Sequence, residues 1–381
     1  MVIGVKDLFD VRGESTWAGS LVLRDAPPAV VDAPAVSRLR RGGAVIIGKT
    51  NMTEFAYSGI GLNPHFGTPA NPYGRGILRR IPGGSSSGAA VAVADGMADI
   101  GLGTDTGGSV RIPAALCGLV GWKPTARRIS LEGVWPLAPS FDSVGVIAKS
   151  VRACAAADAV LTGTAPVTGE IPVTRLRLAR LGGYVESELE PAVSRAYRDA
   201  IERLTAAGVE IIEVSVPALE RMPREQLGVT MTGYEAFRTH TGLLDRFPEL
   251  YDPRVRSRLE LGRNITTEQY AAAAAARHEL QQAAAQALHG FDAWLVPTVT
   301  KLAPPFQAVE SDRDYVAINR ALLRNTYLVN FLDGCAVSLP CQERTEAPVG
   351  LSIAGLALRD AHVLTVARAL EAVVAGTGDP T

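Results

Sequence analysis

The chain has 381 residues, 47% hydrophobic and 20% charged, a globular composition with room for one large domain or two ordinary ones. Its 38 Lys and Arg nearly cancel its 39 Asp and Glu, leaving a formal charge of −1, so no global field draws it to nucleic acid or anionic lipid and a small molecule or a protein is the expected partner. Four cysteines, Cys117, Cys154, Cys335 and Cys341, are too sparse for a disulfide scaffold or paired zinc hooks, and they read as buried thiols of a cytoplasmic protein.

Met1 to Asp7 (MVIGVKD) reads as an opening strand, and its Lys6 and Asp7 stand where an export signal would need an apolar core. No later stretch is long and apolar enough to span a bilayer. Asp32 to Gly42 predicts a helix with an N-cap aspartate, an early proline and a closing glycine, followed by a buried strand over Ala44 to Ile47. Leu176 to Leu181 reads as a strand, Glu190 to Ala207 as an amphipathic helix, and Val209 to Val214 as the next strand. The segment 217–264 is the least regular and reads as a cap over a pocket or as a surface excursion. Thr266 to Leu288 predicts a long helix with a Thr266/Gln269 capping box, ended by Gly290. Asp292 to Val296 is then a strand and Asp360 to Ala375 a last helix. This alternation is that of an α/β protein.

Gly43 to Thr50 satisfies the P-loop pattern G-x-x-x-x-G-K-[ST]. A phosphate cradle needs those residues as a loop, and Ala44-Val-Ile-Ile47 is instead strand-forming. A second concentration of signal runs from Pro82 to Pro124, where the turns GGSSSG (Gly83 to Gly88) and GTDTGGS (Gly103 to Ser109) are separated by a small-residue helix and a short strand. Small residues packed this densely let backbone approach something closely, and two turns rich in hydroxyls and free N–H groups suit an anion or oxyanion. Gly84-Ser-Ser-Ser-Gly88 also fits the nucleophile elbow G-x-S-x-G centred on Ser86, with His240, His278, His289 and His362 available downstream. A dinucleotide fingerprint fails because Gly101-Leu-Gly103 lacks the third glycine.

The stretches GKTNMTEFA (Gly48 to Ala56), PGGSSSG (Pro82 to Gly88) and GTDTGGSVRIPAALCGLVGWKPT (Gly103 to Thr125) are together similar to the amidase signature family, with weaker agreement over Asp292 to Thr298. The resemblance implies an α/β amidase signature fold, a mixed twisted β-sheet flanked by helices on both faces. One domain would cover 1–381, with a signature core at about 43–150 and a pocket-capping segment at 217–264. Carried over by position, it implies a Ser-cisSer-Lys triad of Ser109 as nucleophile, Ser85 after a cis bond, and Lys49 as base. It further implies an oxyanion hole from the N–H groups of Thr106, Gly107, Gly108 and Ser109. Asp105 and Arg111 flank the nucleophile and are expected to hold its loop rigid, with Arg111 pairing a substrate carboxylate as the alternative, and Ser86 and Thr50 are expected as hydrogen-bonding support. The implied reaction is hydrolysis of a small-molecule carboxamide through a seryl acyl-enzyme, without cofactor or metal. The alternative is the glutaminase component of a tRNA-dependent amidotransferase complex, a role for which the chain is short. A homodimer is the default expectation. Relatives usually carry a helical arm ahead of the strand at Met1 to Asp7.

The physical rationale is independent of the family. A serine hydroxyl needs a neighbour to take its proton, and a lysine does so only when burial disfavours its ammonium form.

Overall fold

The computed structural model describes residues 1–376. Ten strands form one sheet: β1 Val2–Lys6, β2 Val45–Thr50, β3 Ile100–Thr104, β4 Val120–Lys123, β5 Val144–Ala148, β6 Arg177–Leu181, β7 Glu210–Val214, β8 Ala293–Pro297, β9 Cys335–Pro340 and β10 Gly350–Gly355. Their spatial order is β2-β1-β3-β5-β4-β9-β10-β8-β6-β7. The two flanks, β2-β1-β3 and β8-β6-β7, pair in parallel, and the middle of the sheet is antiparallel. Helices flank the sheet on both faces: α1 Pro34–Arg41, α2 Ser87–Ala94, α3 Arg111–Leu116, α4 Val151–Thr162, α5 Pro191–Ala206, α6 Arg221–Arg224, α7 Leu227–Arg246, α8 Pro253–Glu260, α9 Thr267–Ala287, α10 Asp312–Phe331 and α11 Asp360–Val374. The fold is therefore the expected mixed α/β architecture.

Burial on both faces explains why the central strands read as continuous apolar runs. β3, β5 and β10 are buried at every position, with Trp122 of β4 and Trp294 of β8 among the largest enclosed side chains. Close approach of α2 to the sheet depends on glycines in β3. A Cβ on Gly101 would lie 2.9 Å from the Ala89 side chain, and one on Gly103 would lie 2.7 Å from Ser86 Oγ. This spacing sets the serine turn directly over the end of β3.

Most sequence-level elements appear within one or two residues of expectation. The α9 capping box is present in both directions, Thr266 accepting from Gln269 N–H and Gln269 from Thr266 N–H. Asp32 is not the cap of α1: Ala33 holds that position, and the Asp32 carboxylate accepts from Arg12 N–H across the loop. The strand expected to be buried over Ala44 to Ile47 is instead an edge strand of the sheet, with Val45 and Ile47 exposed because nothing among the described residues covers its outer side. It extends to Thr50, so Lys49 lies within β2 and the P-loop pattern forms no cradle. The segment 217–264 is far more regular than its sequence suggests, carrying α6, the 20-residue α7 and α8. The four cysteines are buried and unpaired. Among the described residues no helix is long and apolar enough to cross a membrane.

Candidate active site

Three chain segments meet at the C-terminal ends of β1 and β3. The turn before α2 is pinned by Gly84 N–H to Gly59 C=O (2.8 Å) and by Thr53 N–H to Ser85 C=O (3.1 Å). Ser86 N–H donates to Ser109 C=O at 3.1 Å, which sets the two serine turns side by side. The Gly84–Ser85 bond is cis. Into this junction the last residue of β1 sends its side chain: Lys6 Nζ donates to Ser85 Oγ at 2.7 Å and to Thr104 Oγ1 at 2.9 Å.

Lys6 is fully buried. Burial lowers its amine to about 7, against the opposing pull of the Asp105 and Asp142 carboxylates. An ordinary lysine holds its proton at neutral pH, whereas burial here disfavours the ammonium form relative to the neutral amine.

Lys49, which the motif carry-over assigned as base, is not at this junction. In the parallel β1–β2 ladder Val5 pairs with Lys49 and Lys6 with Thr50. Paired residues share a face and successive residues alternate, so Lys49 projects from the face opposite to Lys6. There it pairs with Asp7 at 2.8 Å and donates to Ser15 C=O and Thr16 Oγ1 at 3.0 and 3.2 Å. A cleft of about 450 Å³ lined by Asp7, Trp17, Lys49, Asn51 and Phe66 opens beside it and includes none of the three serines Ser85, Ser86 and Ser109. Thr50 shares the face of Lys6, yet its hydroxyl is buried without a partner and its methyl packs against Gly4. It is thus not the hydrogen-bonding support expected of it.

The loop carrying Ser109 is braced by a buried ion pair. Arg111 donates to Asp105 through Nε (3.0 Å) and an Nη (2.9 Å), both residues being fully enclosed. Burial alone would raise the Asp105 carboxyl, but the Arg111 guanidinium, the Lys123 ammonium and the Asn330 amide together outweigh it and hold the group down at about 2. Asp105 also accepts from Gly108 N–H at 2.8 Å and Val110 N–H at 3.2 Å, and Asn330 of α10 donates to it at 3.0 Å.

The same bonds revise the expected set of oxyanion donors. Gly108 N–H is already committed to Asp105 and is not free for a ligand. The N–H groups of Thr106, Gly107 and Ser109 meet no protein acceptor among the described residues. Thr106 is oriented through its hydroxyl, which donates to Asp142 at 2.5 Å, and Asp142 is held in turn by the N–H groups of Leu137 and Ala138. Ser86 Oγ makes a long contact of 3.5 Å with Thr104 C=O. Among the described residues none of His240, His278, His289 and His362 hydrogen-bonds Ser86: His240 Nδ1 meets Tyr251 Oη, His278 meets Gln282, and His362 pairs with Asp292. The nucleophile-elbow alternative thus lacks its base.

Sequence reasoning missed Lys6, Thr104 and the whole contribution of α10. The available signal for Lys6 was a lone cation closing a buried parallel strand, the strand end at which α/β sites gather. α10 gave none, because its Asn319, Thr326 and Asn330 look like an ordinary polar face until the fold buries them.

A family model described as Amidase matches residues 1–364. The 2-amino-5-chloromuconic acid deaminase of Comamonas testosteroni is 33% identical over 382 residues, covering 98% of this chain and 81% of the relative. The A component of the glutamyl-tRNA(Gln) amidotransferase of Roseiflexus sp. (strain RS-1) is 32% identical over 412 residues, covering 97% of this chain and 82% of that one. A crystal structure described as an amidase superposes with a TM-score of 0.86 at 35% identity, covering 98% of this chain and 84% of its own.

Proposed function

Because the chain belongs to the amidase family, we propose that it hydrolyses a small-molecule carboxamide to a carboxylate and ammonia or an amine, with Ser109 as nucleophile and Ser85 and Lys6 as the proton relay. The observation that carries this reading is the 2.7 Å contact between Lys6 Nζ and Ser85 Oγ at full burial. Lys6 thereby takes the base's role that the motif had given to Lys49.

In the first step the Ser109 Oγ–H proton passes to Ser85 Oγ as the Ser85 proton passes to the neutral Lys6 amine. Ser109 Oγ bonds the amide carbon, and the carbonyl π pair moves onto oxygen. That oxyanion accepts from the N–H groups of Thr106, Gly107 and Ser109, donors already fixed by the Asp105–Arg111 brace. The relay then runs in reverse: Lys6 returns a proton through Ser85 to the departing nitrogen, and the C–N bond breaks. Water repeats the cycle on the acyl-enzyme and releases a carboxylate. Thr104 Oγ1, the other acceptor of Lys6 at 2.9 Å, aims the amine at Ser85.

A second reading, a glutaminase component supplying ammonia to a partner protein, is favoured by the likeness to the Roseiflexus amidotransferase. The Comamonas relative is named for a small acid, and that favours a free-standing small-molecule enzyme. The test is peptide mass spectrometry after treatment with a fluorophosphonate, followed by an amide screen for ammonia release. One adduct on Ser109, slowed strongly by Lys6→Ala, is expected. An adduct on Ser86, or none on folded protein, overturns the reading. Ammonia released from glutamine alone, with co-purifying partner proteins, selects the second one.

A further inference from the structure

One stripe of α10 holds the glycine loop. Leu323, Thr326, Tyr327 and Asn330 follow the i, i+3, i+4, i+7 spacing that places residues on a single helix face. Asn330 binds Asp105, and Thr326 Oγ1–H donates to Gly107 C=O at 2.6 Å. Leu323 and Tyr327 pack on the Cα of Gly107, where an added Cβ would lie 3.4 Å from Leu323 Cδ2 and 2.6 Å from Tyr327 Cδ2.

Tyr327 differs from the other three because its far end is held by another element. Its hydroxyl donates to Gly228 C=O of α7 at 2.9 Å and lies 2.5 Å from Thr232 Oγ1. The phenol has one proton, so Thr232 is the donor in the second contact. Burial raises the phenol above its ordinary value, and it stays protonated at neutral pH. The ring is also wedged at both ends: a Cβ on Gly228 would lie 2.1 Å from Tyr327 Cε1. One aromatic plate is thus clasped between a glycine of the Ser109 loop and a glycine of α7. A residue serving only to fill space would need the ring and not the doubly used hydroxyl.

Resting on the hydrolase reading above, we infer that Tyr327 is a positioning residue of the reaction, tying α7 to Gly107 so that the Gly107 N–H is aimed at the oxyanion. Through α7, the segment 217–264 then enters the reaction: the seating of α7 is read out as transition-state stabilisation. Thr232 is the second half of the device, because it fixes the direction in which the Tyr327 hydroxyl points.

The test uses the full chain and a fluorophosphonate, whose phosphoryl oxygen occupies the oxyanion position when Ser109 attacks. Tyr327→Phe keeps the ring and removes both hydrogen bonds. It is expected to lower kinact about tenfold, a fraction of what loss of a whole oxyanion donor costs, with KI unchanged to within about twofold. The pH midpoint of labelling should stay at its wild-type value, since Lys6 and Ser85 are untouched; general loosening of the site would move it. Thr232→Val should show a smaller fall in kinact, and Thr232→Ser, which retains the hydroxyl, should restore it. Wild-type kinact in Tyr327→Phe, or a loss confined to KI, overturns the inference and leaves the hydrolase reading standing. If wild-type protein itself is not labelled on Ser109, the hydrolase reading fails and this inference falls with it.

Discussion

Lys6 and Lys49 stand on adjacent parallel strands, one register step apart, and project from opposite faces of the sheet. One meets Ser85 in full burial; the other meets Asp7 at a partly exposed edge. Their substitutions should therefore separate cleanly. Lys6→Ala is expected to lower the Ser109 labelling rate by about a thousandfold, since it removes the proposed general base. Lys49→Ala should leave that rate within about threefold of wild type and cost about 1 kcal/mol of stability through the lost ion pair. Equal losses in the two variants would count against the assignment.

The rate should also depend on pH in the sense that Lys6 dictates. Its amine is lowered to about 7 by burial, and only the neutral form can receive a proton. Labelling of Ser109 is therefore expected to rise with pH through a midpoint near 7 and then level off. A rate that is flat between about pH 5.5 and about pH 8.5 would exclude a lysine titrating in this range as the base.

Arg111 and Asp105 form an enclosed ion pair whose partners are unequal in what they leave behind. Arg111→Met strands a buried carboxylate and is expected to cost about 3–5 kcal/mol by chemical denaturation. Asp105→Asn combined with Arg111→Met removes the stranded charge and should recover part of that loss. A double variant no more stable than Arg111→Met would mean that the backbone bonds from Gly108 and Val110, and not the charge balance, dominate the loop.

Glu54 provides a pH signature away from the chemistry. It is fully buried, accepting from Ser20 Oγ–H at 2.7 Å and Asp252 N–H at 2.7 Å, with His65 Nε2 at 3.1 Å. Burial raises its carboxyl to about 8 from 4.5, while it lowers the facing His65 imidazole. Both shifts favour a neutral carboxyl donating to a neutral ring. The folded state then binds a proton that the unfolded chain releases. Its stabilisation is complete below the unfolded value of 4.5 and is lost as pH rises towards about 8. Over that window the wild-type protein should lose on the order of a few kcal/mol that Glu54→Gln does not lose. Parallel stability curves for the two proteins would show that Glu54 is ionised in the fold.

Local chemistry is what the sequence determined. The helix of Thr266 to Leu288 carries its own capping box, the alternation of apolar runs carries the α/β class, and the turns at Gly83 to Gly88 and Gly103 to Ser109 carry both serines. Each of these signals depends on neighbours a few residues away, which a linear chain displays. Which lysine reaches the serines depends instead on strand pairing and face parity between segments far apart in the chain, a relation set by the β1–β2 ladder and invisible in motif spacing. The tertiary structure also decided which loop amides stay free, because Asp105 folds back to consume that of Gly108. It likewise turned α10 into the wall of the site. Burial then did what no composition shows: it took an ordinary lysine out of water and made its neutral form available near pH 7.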